Sequence, residues 1–359
     1  MQRTLVREGT EEFLRGQRQW LQKKKMEHAA RIRALSEEPS EHLEAIAQSL
    51  LNHQDEGEYD SVWSRNIFQP LLNKTLAICS ECKLVLKHPV RFANSPSIDV
   101  SPAALPSQHE HIVFAGQGTF AFCNYWAKIF SAAIYEVGNQ FDTDWSPEKI
   151  LACLKGSRII RDAALLALRY ARTGSLVGFG KLEQPEHLLL GRTLLVNAME
   201  LFAIAHEVGH FFCYEEHPET DGLASGQSPK DLELECDALA LAVCTGYGQS
   251  EDNAFAFQLT GPLLFFCALR ICDQAAAQLV GEHGIETSNS HPTHLERIQF
   301  IQEFLKKVGA APHVIDGAQF VLEVAAIIES QVQLLWSELA ENADEEGGQP
   351  SILEPRSQP

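Results

Sequence analysis

Two histidines four positions apart, His206 and His210, stand inside an apolar run that reads as one face of a helix. This pairing constrains the fold more than any other feature of the chain. On a helix, positions i and i+4 project from the same face, so both imidazoles can reach a single metal ion. Glu207 lies beside them, placed to take a proton from metal-activated water and to pass it to a leaving amine. Leu201, Phe202, Ile204, Ala205, Val208 and Phe212 supply the apolar face, and Asn197-Ala198-Met199-Glu200 reads as a capping box. A His-Glu-x-x-His pentapeptide arises by chance often enough that it needs support from its surroundings.

That support comes from the next element. Pro218 and Gly222 end the first helix, and Ser228-Pro229-Lys230-Asp231 supplies a cap, a proline at N1 and an acid at N3 for a second helix running to Gly246. Glu233 falls in its second turn, where a short connection can fold it back beside the histidines. A His, His, Glu set leaves the fourth zinc position for water, which is the open geometry of a catalytic site. Asp237, one turn beyond Glu233 on the same face, is expected to accept a hydrogen bond from one of the histidines. Glu235 points elsewhere and remains the rival third ligand, paired with Asp231 at the same spacing. The metzincin pattern does not fit: its glycine and third histidine positions hold Cys213 and Glu216. The plainer reading is a buried, hydrogen-bonded histidine pair, with Glu233 and Asp237 on a solvated face.

The arrangement of His206-Glu207-Val208-Gly209-His210, then Glu233 and Asp237, then Ser290-His291-Pro292-Thr293-His294-Leu295-Glu296-Arg297-Ile298, resembles the minigluzincin peptidases. These include the HtpX-like and CAAX-prenyl-protease-type enzymes. The resemblance covers roughly Leu194 to Phe304. It implies Zn²⁺ held by His206, His210 and Glu233, with Glu207 as the base. Pro292 is expected to open a helix that stops near Gly309. In the functional reading, His291 or His294 donates to the oxyanion and Arg297 pairs with an acid behind the site. In the plain reading the segment is a helix cap with an exposed arginine. Tyr214, one turn past His210, is a further oxyanion-donor candidate, with core packing as its alternative.

Membrane members of that family carry long hydrophobic spans. The most apolar stretch of this chain is read as Leu263 to Leu269, which runs into Arg270 well short of the roughly 20 residues needed, so no transmembrane segment is expected. The chain is also similar, less closely, to the Lit-type phage-exclusion and ImmA/IrrE-type regulatory peptidases, which place a helix-borne zinc motif in the bacterial cytoplasm.

The chain has 359 residues, 45% of them hydrophobic, enough for a sizeable core. A net charge of −19 argues against nucleic acid as a partner. Against that background, Arg15, Arg18, Lys23, Lys24, Lys25, Arg31 and Arg33 form a basic stretch interleaved with Phe13, Leu14, Trp20 and Leu21, read as a solvated helix. Met1 to Lys25 holds charges where a signal peptide needs an apolar run, so a cytoplasmic location is expected. The nine cysteines, an odd number, are then reduced thiols, Cys79 and Cys82 included.

The expected organisation is a helical region over 1–80, a zincin-like peptidase domain over 81–310, a C-terminal helix within 311–340 and a disordered tail over 341–359. Short strands between Lys83 and Ser107 lead to a strand at His109–Gly116, with His109 and His111 facing solvent. Helices are expected at Phe120–Val137, Pro147–Thr173 and Ala318–Leu339, and an edge strand for an extended substrate within Leu188–Val196. The fold class is α+β, predominantly helical, with a small sheet and a zincin-like metallopeptidase core. The expected function is that of a soluble zinc-dependent endopeptidase acting on a protein or peptide substrate. The alternative is a non-catalytic protein that zinc stabilises. The oligomeric state is left open.

Overall fold

The computed structural model describes residues 62–95, 97–141, 145–280 and 291–345, with isolated helical positions between 26 and 51. The expected loop at Gly57–Ser61 and the basic run from Arg15 to Lys25 lie outside the described residues. Arg33, at the end of the basic stretch, is engaged by Glu44 through two hydrogen bonds of 2.7 and 2.8 Å.

The chain divides into two compact units built from interleaved segments. The first comprises Met1–Phe122 and Glu200–Asn253, the second Cys123–Met199 and Ala254–Pro359.

In the first unit, helix α1 (Val62–Glu81) precedes strands β1 (Val90–Asn94), β2 (Ala103–Leu105) and β3 (His111–Ala115). The strand order is β1-β3-β2, with β1 parallel and β2 antiparallel to β3. His111, Ile112, Val113 and Ala115 are all buried, a two-faced burial that suits the central strand. Val113 pairs with Phe92 on one side and Ala104 on the other. Helix α1 covers β1: the Phe68 ring stacks 6.0 Å from Phe92, and Ser64 Oγ donates to Asn94 Oδ1 at 2.6 Å. The described residues are mostly helical, with one small sheet.

Helix α2 (Gln117–Phe141) runs on into the second unit. There the single helix expected over Pro147–Thr173 is two, α3 (Pro147–Leu154) and α4 (Arg158–Thr173). Gly156 takes φ +69°, a left-handed conformation that glycine adopts without strain, and Ser157 caps α4 by accepting from the Ile160 N–H.

Helix α5 (Leu189–Glu216) starts earlier than expected, after a 3₁₀ turn at Glu186–Leu188. The Leu188–Val196 segment is therefore helix, not an edge strand, and Asn197–Glu200 lies inside it rather than capping it. The segment is rich in leucine, a strong helix former, and a short apolar run cannot be assigned by alternation alone.

Beyond helix α6 (Pro229–Ser250) and the short α7 (Ala254–Phe257), helix α8 (Thr260–Val280) packs against α4, α9 (His294–Lys307) and α10 (Pro312–Glu345). Arg270, which ends the apolar run of α8, donates from Nε to Glu329 of α10 at 3.0 Å, so that its charge is matched inside the unit. Thr293, not Pro292, caps α9, in a reciprocal box with Glu296. Helix α10 starts before Ala318 and continues past Leu339 into the acidic segment expected to be disordered; residues 346–359 lie outside the described set.

Among the described residues, two stretches, Glu186–Glu216 and Pro312–Ser337, are long and apolar enough to cross a membrane by length and composition. A buried core helix meets the same criterion. The first escaped sequence reading because a strand assigned to Leu188–Val196 cut it in two.

Candidate metal centre

The C-terminal half of α5 and the N-terminal half of α6 build the site. Ser228 accepts from the Asp231 N–H while the Asp231 carboxylate accepts from the Ser228 N–H, with Pro229 opening α6, as the sequence predicts. The helix continues past Gly246 to Ser250. Close approach of the two helices requires Gly209: a Cβ there would lie 2.9 Å from Cys236 Cα.

Among the described residues, His206, His210 and Glu233 form the one group spaced to hold a metal ion, with ligand atoms all within 4.8 Å of one another. His206 Nε2 lies 3.3 Å from Glu233 Oε2, and His210 Nε2 lies 3.7 Å from Glu233 Oε1. A tetrahedral ion with bonds of about 2.0–2.2 Å sets its ligand atoms roughly 3.3–3.6 Å apart. The first separation lies in that range and the second, to the other carboxylate oxygen, just beyond it, so the donor set is compatible with a metal ion. The two rings stand edge-on, with centroids 5.0 Å apart. Glu207 is buried next to His206 on the same helix. His206, His210, Glu233 and Glu207 are 7–8% exposed, whereas Asp237 is fully buried at 0%.

The outer nitrogens of the two histidines are held differently. With Nε2 directed at an ion, Nδ1 carries the proton and acts as donor. His206 Nδ1 meets Asp237 Oδ1 at 2.8 Å, the contact expected of Asp237. His210 Nδ1 meets Cys236 Sγ at 3.5 Å, a contact that the sequence reading missed. Cys236 also packs with Cys213 of α5 in one buried cluster. The neighbouring Cys213 thiol, burial and the nearby Glu233 and Glu207 carboxylates raise the Cys236 thiol pKa. The Cys236 thiol in turn lowers the pKa of Cys213. Glu235 is exposed and accepts from Gln227 Nε2 at 2.8 Å, so Glu233, not Glu235, is the carboxylate brought to the imidazoles.

The remaining candidates fall in both units. His291 is exposed and lies in the second unit, ahead of the α9 cap. His294 Nε2 lies 3.1 Å from Asp273 Oδ2, and its ring stacks 6.0 Å from Phe266. Arg297 is buried, not exposed as in the plain reading, with its guanidinium 5.2 Å from the Phe266 centroid. Tyr214 is buried edge-on to His111, its hydroxyl without a hydrogen-bond partner among the described residues. Burial raises the pKa of that phenol.

His111 overturns its expected solvent exposure. It is fully buried and stacked on Phe211 of α5 with centroids 4.6 Å apart. Its Nδ1 accepts from the Ser107 N–H at 3.2 Å, which leaves Nε2–H to donate to Glu215 Oε1 at 3.0 Å. Glu215 also accepts from the Lys87 and His88 N–H groups and so ties α5 to the approach to β1. Glu200, buried on α5, has its pKa raised to about 8 by desolvation and carries a proton at neutral pH.

No protein-family model, curated protein or solved structure matches this chain.

Proposed function

We propose that the chain is a zinc-dependent peptidase of zincin-like architecture, resembling the minigluzincins, with His206, His210 and Glu233 as metal ligands. The observation that carries this reading is the 3.3 and 3.7 Å spacing of the Glu233 oxygens from two imidazole nitrogens on one helix face. When bound, zinc supplies Lewis acidity, polarising a carbonyl and bringing the pKa of water toward about 7. Glu207 accepts the proton of the attacking water and returns it to the leaving nitrogen. Asp237 holds the His206 ring in the Nδ1–H tautomer through the 2.8 Å contact. The substrate is a protein or peptide, met in the cytoplasm in this reading.

A second reading, a purely structural zinc, draws support from the burial of all three ligands between two helices. Chelation separates the two: a structural site loses its fold with the metal, a catalytic one loses turnover and keeps its helices. The decisive comparison is terminal-peptide proteomics of cells expressing the parent or Glu207→Gln. New protein termini confined to the parent are expected. Identical profiles, with both proteins zinc-loaded, would remove the peptidase assignment.

A further inference from the structure

The two ligand histidines differ in what stands behind them, and the difference bears on how the site is controlled. His206 is backed by a fully buried carboxylate at 2.8 Å. His210 is backed by a thiol, with Cys236 Sγ at 3.5 Å from its Nδ1. Once Nε2 is turned toward an ion, the His210 Nδ1–H donates to Cys236 Sγ. Cys236 in turn shares a small buried cluster with Cys213, so that two reduced thiols, one on each helix of the site, stand together behind His210.

We infer that Cys236 is a positioning residue for His210, and that oxidation of Cys213 and Cys236 to a disulfide loosens the metal. The inference rests on the proposed metal centre. Drawing two packed but unbonded sulfurs to a bond of about 2.05 Å requires movement. The backbones cannot supply it by closing further, because α6 already meets α5 at Gly209, where even a Cβ would come within 2.9 Å of Cys236 Cα. The side chains rotate instead. Cys236 Sγ leaves His210 Nδ1 and gives up its S–H, and the imidazole loses the group that orients it.

The chemistry balances with a hydroperoxide as oxidant. Cys213, 8% exposed against 0% for Cys236, is the point of entry. Its sulfur attacks the terminal peroxide oxygen, giving a sulfenic acid and releasing water (or the alcohol). The Cys236 sulfur then attacks the sulfenic sulfur, forms the S–S bond and expels a second water. Two thiols are oxidised and one peroxide is reduced.

The test uses the full, reduced chain, hydrogen peroxide, peptide mapping and zinc affinity by chelator competition. Peroxide is expected to link Cys213 to Cys236 and to weaken zinc binding by about 10–100-fold, reversibly with dithiothreitol. Cys213→Ser is expected to bind zinc like the reduced parent and to ignore peroxide. Cys236→Ala is expected to bind about 10-fold more weakly in either condition. A mapped Cys213–Cys236 link that leaves zinc affinity unchanged overturns the inference. So does peroxide that oxidises exposed Cys82 and leaves this pair reduced. If the reduced parent binds no zinc, the metal centre itself is wrong, a failure visible before any oxidant is added.

Discussion

Two buried imidazole clusters adjoin the same stretch of α5, and they are built to opposite specifications. Around His111 every polar ring atom is satisfied: Nδ1 by the Ser107 N–H, Nε2 by Glu215 at 3.0 Å, with Phe211 stacked on the face. Around His206 and His210 the outer nitrogens are engaged by Asp237 and Cys236, while the inner nitrogens converge on Glu233 at 3.3 and 3.7 Å. Those separations exceed the usual 2.9–3.0 Å of an N–H···O bond and lie at or just beyond the roughly 3.3–3.6 Å edge of a coordination tetrahedron. A buried histidine is thus not diagnostic by itself. What distinguishes the two clusters is whether the carboxylate facing Nε2 sits at bonding distance, as Glu215 does from His111, or further off, as Glu233 does from His206 and His210.

The sharpest consequence concerns Glu207, which the first cluster has no counterpart for. Glu207→Gln is expected to lower turnover by about 10²–10⁴-fold while zinc content stays at the parental level, read by product formation alongside elemental analysis.

The His111 cluster, by contrast, should affect stability and not metal. His111→Ala removes a stacked ring and leaves the Glu215 carboxylate short of a donor, a loss of about 3 kcal/mol in denaturant unfolding. Burial lowers the His111 pKa despite the opposing pull of Glu215. The unfolded chain therefore binds that proton more readily, and the cluster's stabilisation is complete above the unfolded histidine pKa of about 6.5. It is lost as pH falls from there through the folded value. Glu215 adds to the loss at lower pH: burial raises its pKa, but the Lys87, His111 and His88 hydrogen bonds outweigh that and hold it down. The parent should thus lose more stability on acidification than His111→Ala. Parallel pH dependences would show that the pair does not titrate with folding.

A smaller effect separates the two ways of holding a ligand histidine. Asp237→Asn keeps the shape but weakens the partner of His206 Nδ1, so zinc affinity should fall about 10–100-fold with little change in secondary structure. An unchanged affinity would mean that the 2.8 Å contact is only packing.

Much of the site was legible because it is local. The His206 and His210 spacing, the Ser228–Asp231 cap and the Glu233 to Asp237 interval all follow from helix periodicity and N-cap chemistry. The small sheet after Lys83 was legible too, from prolines and short apolar runs. The start of α5 was not: Leu188–Val196 has too few residues for alternation and helical period to be told apart. His111 was misjudged because its burial depends on Phe211, Ser107 and Glu215, partners that only tertiary packing assembles. Cys236 was missed for the same reason. In sequence it is one residue from Asp237, but its role depends on α5 standing close enough, at Gly209, to bring His210 and Cys213 to its sulfur.

The central claim is that one carboxylate, Glu233, completes a binding site with two imidazoles. Zinc stoichiometry of purified parent, Glu233→Ala and Glu235→Ala, measured after dialysis against a weak chelator, tests it directly. The account predicts one bound zinc per chain in the parent and in Glu235→Ala, and its loss from Glu233→Ala in a protein that remains helical. Zinc retained equally by all three variants, or bound by none, would contradict it.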